Sequence, residues 1–168
     1  GTRMAVRLPA WTSPTAASSV FAVSGVPEPE CTVRGGRLGG PGSCATPAVA
    51  FRDTGVDALL DEMGARGEPL TGFVGADDVV VVAVDSRCAD GGTGIGRGRL
   101  ATSTDVVKGL VWRILQRPGG FGGEVVVAGE SPSSPAGFAT TPANAADRDQ
   151  SLADVVDAFA RLGYPVSL

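Results

Sequence analysis

The sequence predicts an α/β fold, an open and mainly parallel sheet with flanking helices, and three observations carry that prediction. Two valine-rich segments, 79–84 and 124–128, hold continuous apolar runs at 79–84 and 125–128 rather than alternating patterns, as expected of parallel strands buried on both faces. Three other stretches repeat apolar residues at helical spacing, which marks amphipathic helices. The two kinds of segment interleave as helix, strand, helix, strand, helix, strand. That order predicts crossover units of one hand and a Rossmann-like topology.

The first helix is expected over 54–65, where Val56, Leu59, Leu60 and Met63 recur at i, i+3, i+4 and i+7 while Asp57, Asp61 and Glu62 face elsewhere. Asp53 or Thr54 can cap its start. The run at 79–84 follows as the first strand of the sheet. The second helix, 104–116, turns Val107, Leu110, Val111, Ile114 and Leu115 inward and Lys108, Arg113, Gln116 and Arg117 outward. Thr102 with Asp105 resembles a capping box, and Pro118-Gly119-Gly120 stops the helix. After the strand at 124–128, a third helix over 151–162 has a stripe of Leu152, Val155, Val156, Phe159 and Leu162. Ser151 and Asp154 cap it, and Gly163 ends it. Residues 165–168 then begin another strand, so 51–168 reads as a partial α/β domain. Residues 1–50 read as a Gly/Pro-rich irregular segment whose one strand candidate is 20–23, with a long loop over 27–47.

Composition narrows the function. The chain of 168 residues has a net charge of −4 and Lys108 as its one lysine, so it carries no global basic field for a nucleic-acid backbone. It has no histidine, which excludes Ser-His and Cys-His triads within the chain and removes the commonest metal ligand. Cys31, Cys44 and Cys88 lack C-x-x-C spacing, so no iron–sulfur motif is present, and free thiols are expected over a Cys31 to Cys44 disulfide. No apolar run reaches the roughly 18 residues of a membrane span. The first 25 residues lack a signal-peptide core, which makes the cytoplasm the default compartment, while Gly1-Thr2-Arg3 ahead of Met4 leaves room for an export signal further upstream.

Several segments together resemble the family called domain of unknown function 362: DTGVDALLDEM at 53–63, DDVVVVAVDS at 77–86, GGT at 91–93, STDVVKGLVWRILQRPGGFGGEVVVAGES at 103–131 and ADRDQSLADVVDAFARLGYPVSL at 146–168. The run from Ser103 to Glu130 is the most specific. The resemblance implies an α/β fold and a chain that covers the opening part of a longer domain. In some relatives it implies an iron–sulfur segment or export as well. Two departures stand out: the family's strand commonly ends in Lys-Pro-Asn or Lys-Val-Asn where this chain has Ala83, Val84 and Asp85, and residues 94–101 are inserted after Gly-Gly-Thr.

Candidate chemistry gathers where the parallel strands end, because ligands of open α/β sheets bind beyond the carboxyl ends of the strands. Asp85 with Ser86 follows the first strand and Glu130 follows the second. As neighbours about 4.8 Å apart, the two acids could hold a divalent cation. The alternative is a pair of solvated loop carboxylates. Thr93, Thr104, Asp105 and Lys108 complete the candidate ligand-binding set around the start of the second helix, with the dipole end and Lys108 offered to an anion and a capped, solvated helix face as the alternative. The glycines from Gly92 to Gly98 are spaced by two and fit neither G-x-G-x-x-G nor a P-loop. Two functions are therefore expected: binding of a small polar or anionic ligand or a divalent cation at the strand ends, or a non-catalytic module that packs against the remainder of the domain or another protein.

Overall fold

A computed structural model of the chain describes residues 4–13, 16–24, 32–34, 37–39, 50–65, 70–85, 102–130 and 150–168. In the amino-terminal stretch, read as Gly/Pro-rich and irregular, the described residues are strands, and the strand candidate 20–23 lies within one of them. Strands β1 (Met4–Ser13) and β2 (Ala16–Ser24) pair antiparallel, with a register irregularity between Leu8 and Trp11. Strands β3 (Thr32–Arg34) and β4 (Arg37–Gly39) form a second antiparallel pair inside the segment expected to be a loop. Two glycines separate this short pair in sequence, Gly35 and Gly36, and a Gly-Gly link between two short runs is a hairpin signal. Prolines, serines and glycines around these strands masked a local β preference.

Helix α1 (Thr54–Ala65) forms where the apolar spacing predicts it. Asp53 caps it, its Oδ1 accepting from the N–H groups of Gly55 and Val56 at 2.9 Å each. Val56 and Leu60 are buried. A short 3-10 turn at Leu70–Gly72 leads to β5 (Val79–Asp85), then α2 (Thr104–Leu115), β6 (Glu124–Glu130), α3 (Leu152–Arg161) and β7 (Val166–Ser167). These last three strands make an open, wholly parallel sheet in the order β5-β6-β7. The expected α/β architecture is therefore present.

Local chemistry accounts for the elements. Ser103, rather than Thr102, caps α2, its side chain accepting from the Asp105 N–H. α3 starts with the predicted capping box, in which the Asp154 N–H donates to Ser151 Oγ and the Ser151 N–H donates to Asp154 Oδ2. It ends with Gly163 at φ +81. There the Gly163 N–H donates to the Ala160 carbonyl and the Tyr164 N–H to that of Phe159, the paired bonds of a Schellman motif, which favours glycine. Between α2 and β6, the Gly122 N–H donates to the Ala76 carbonyl at 2.7 Å and the Glu124 N–H to that of Asp78 at 3.1 Å. Gly123 runs so close to β5's approach that an added Cβ would meet the Asp78 carbonyl oxygen at 1.9 Å. The strand-to-strand start thus needs glycine there.

The core lies on one face of the sheet. Val80, Val82 and Val84 of β5, Val125 and Val127 of β6 and Val166 of β7 pack under Val107, Val111, Ile114 and Leu115 of α2 and Leu152, Val155, Val156 and Phe159 of α3. Each fully buried valine contributes about 1.5–3 kcal/mol. Four rings extend this core: Phe51 stacks on Phe159 with centroids 4.0 Å apart, and Trp112 and Tyr164 meet edge to face at 5.9 Å. The other face is open, with Val79 and Val81 exposed by 65% and 60%. Burial on both faces, expected from the unbroken valine runs, is not what these strands show. Strand order gives the reason: two successive crossovers of one hand that advance in one direction place both helices on the same side. Leu162, expected in the buried stripe of α3, is likewise 43% exposed.

Candidate functional site

The strand ends can be located from the fold. α2 finishes at the amino end of β5, where Arg117 Nε donates to the Val74 carbonyl at 2.8 Å. Its 12 residues rise about 18 Å, so its first turn lies at the carboxyl end of the sheet. There, Asp85 and Glu130 are register partners, the last pair of the β5–β6 ladder. Backbone pairing thus brings the two predicted acids to adjacent positions at the spacing of neighbouring strands, about 4.8 Å. Ser86, Thr93, Cys88, the glycine run 94–98 and the Cys31 to Cys44 pair lie outside the described residues.

Thr104, Asp105 and Lys108 come together, but not as an open helix start. All three are buried, and Lys108, expected on the outer face of α2, is 0% exposed. Its Nζ donates to Asp105 Oδ1 at 3.1 Å. Gln150, also 0% exposed, donates from Nε2 to Thr104 Oγ1 at 2.6 Å and to Asp105 Oδ1 at 3.4 Å. The helical wheel placed Lys108 outside because helical spacing does not show that Gln150, from a distant part of the chain, joins the polar cluster of Thr104 and Asp105. Gln150 escaped the sequence reading for the same reason; its position directly before the Ser151 cap was the one available signal.

A second polar cluster joins α1 to α2. Asp57 was expected to face away from the core, yet it accepts from Arg113 Nη1 at 2.8 Å and from Arg52 Nε. Burial pushes its carboxyl up, but the hydrogen bonds and charges of Arg52 and Arg113 together outweigh that and hold it below the usual range. Arg113 also reaches Asp61 at 3.5 Å. Beside it, an open cleft of about 390 Å³ is lined by Leu60, Asp61, Leu70, Arg113 and Gln116, at the end of α2 away from the strand-end acids. Among the described residues, no three acidic or cysteine side chains converge as a metal site, and no helix is long and apolar enough to cross a membrane.

Fold and geometry define an α/β domain with an open parallel sheet, two carboxylate residues paired at its carboxyl end and a buried polar cluster beside them. No family model, curated protein or solved structure matches the chain.

Proposed function

We propose that the chain is an α/β domain of the kind its resemblance to domain of unknown function 362 implies, and that it binds a small polar or anionic ligand or a divalent cation at the carboxyl ends of β5 and β6. The observation that carries this reading is the in-register pairing of Asp85 with Glu130 at the end of two parallel strands. Two adjacent carboxylates repel unless a cation or a shared proton relieves them, so the pair favours a hard cation with oxygen ligands. An anionic ligand would then enter through the bound cation rather than through Lys108, whose ammonium is already held by Asp105. Ala83, where the family's lysine would stand, is exposed on β5 and supplies no charge.

Thermal unfolding in the presence of Mg²⁺, Mn²⁺ or inorganic phosphate tests this reading. A cation at about 100 times its Kd adds about 2.7 kcal/mol, which for a chain of this size raises Tm by roughly 5–10 °C. Asp85→Asn and Glu130→Gln should each remove most of that rise. No shift with any of the three probes, or an equal shift in both variants, refutes the site.

The open valine face favours a second reading, a non-catalytic module that buries Val79 and Val81 against another protein. Parallel sheets are normally covered on both sides, and two large apolar side chains exposed together mark a surface for contact.

A further inference from the structure

The two connections that leave the carboxyl ends of β5 and β6 both terminate at the buried cluster of Thr104, Asp105, Lys108 and Gln150. The first connection ends at Ser103, the cap of α2, and the second at Ser151, the cap of α3. Gln150, immediately before that second cap, reaches across 46 residues of sequence to Thr104 Oγ1 at 2.6 Å. None of the four residues is more than 4% exposed.

We propose that these four residues form a clasp that makes the first turns of α2 and α3 open as one unit. If α2 unwound alone, it would withdraw Thr104 and Asp105 from a buried Gln150 amide. If the entry to α3 moved alone, it would strip the same bonds from the other side. Either separate motion breaks the bonds from Gln150 to Thr104 and Asp105 while one side of them stays buried, and a bond lost in a buried site is more unfavourable than one lost in water. Joint opening hydrates all four at once, so the joint motion has the lower free energy and defines one cooperative unit. The inference stands on packing and holds with or without a ligand at the strand ends. Its consequence for such a site is that both walls move together.

Native-state amide exchange of the full chain, followed by NMR over low guanidinium concentrations, tests the clasp. The first intrahelical bonds are Val107 N–H to the Ser103 carbonyl at 3.2 Å and Val155 N–H to the Ser151 carbonyl at 3.3 Å. These two amides are expected to share one opening free energy and one denaturant slope, distinct from those of α1. Gln150→Ala should speed exchange at both by tenfold or more, and Thr104→Val, which removes the accepting hydroxyl at nearly constant volume, should also act on both. Unequal opening in the unmutated chain, or a variant that speeds one amide and spares the other, overturns the clasp. The unmutated comparison decides the matter even where Gln150→Ala fails to fold.

Discussion

Replacing Gly109 by alanine tests the packing of α1 on α2 at its narrowest point. A Cβ at position 109 would lie 2.4 Å from the Asp53 Cβ and 3.3 Å from Val56 Cγ2. Two effects oppose each other. Alanine in the middle of a helix is favoured over glycine by about 0.8–1 kcal/mol. Against this, the added methyl forces the start of α1 to move, and overpacking of this kind costs about 1–3 kcal/mol. The displaced residue is also the cap of α1, so up to about 1 kcal/mol of capping is lost with it. The clash outweighs the helix preference, and a net loss of up to about 3 kcal/mol follows. For a chain of this length that is a fall in Tm of roughly 2–4 °C per kcal/mol, readable by calorimetry or by urea denaturation followed by circular dichroism. In an Asp53→Gly background the Cβ that would be struck is gone, and the penalty of Gly109→Ala should shrink by about 1 kcal/mol or more. A Tm that stays level or rises in Gly109→Ala, or a penalty indifferent to Asp53→Gly, would refute the close crossing.

Asp57 makes stability acid-sensitive. Its folded pKa is depressed, so its contribution is fully present above the unfolded value near 3.9 and is lost as pH falls through the lower folded value. Asp57→Asn should therefore cost about 2 kcal/mol at pH 7, the scale of hydrogen bonds to a charged group, and the gap from the unmutated chain should narrow in melts taken below about pH 4. A gap that is constant from pH 7 to pH 2 would contradict the ion pairs. On the sheet, Val81→Thr on the open face should change stability by under about 0.5 kcal/mol, whereas Val127→Thr on the covered face should cost about 1–3 kcal/mol. Equal penalties would mean that the valine face is covered in solution, and sedimentation at several concentrations would show whether a second copy covers it.

What the sequence disclosed and what it hid divide along the range of the interactions. The capping box of α3 was legible because Ser151 and Asp154 lie three residues apart, and Gly163 because a glycine after an apolar stripe is a local stop signal. The strands β5 and β6 were legible from composition. Which faces of them are buried was not, since every position of the valine run is apolar and either face fits the core equally well. Lys108 and Asp57 were both assigned to outer faces and both are buried; Asp57 meets Arg113 from far along the chain, and Gln150 comes from as far to Asp105, the carboxylate that holds Lys108. Helical spacing reports which side of a helix is apolar; it is silent on whether an arriving polar group will cover the other side. The Lys-Gly pair that contributed to the family resemblance has a structural account here: Lys108 fills the clasp, and Gly109 lets α1 pass.

Strand order also bears on what kind of site the Asp85 and Glu130 pair can make. Crevices in doubly wound sheets open where the order reverses, because the helices on either side of that point go to opposite faces and their loops part. Among the described strands the order β5-β6-β7 runs one way, and α2 and α3 cover one common face. The Asp85 and Glu130 positions therefore end two strands whose following helices cover one common face, not a point where helices pass to opposite faces. At the ligand site proposed there, charge would then contribute more than shape. Affinity at such a place should rest on the number of carboxylate oxygens offered to a cation and should weaken as salt screens them. A deep, shape-selective pocket would need a strand on the other side of β5, which has no partner there among the described strands, wound in the opposite sense.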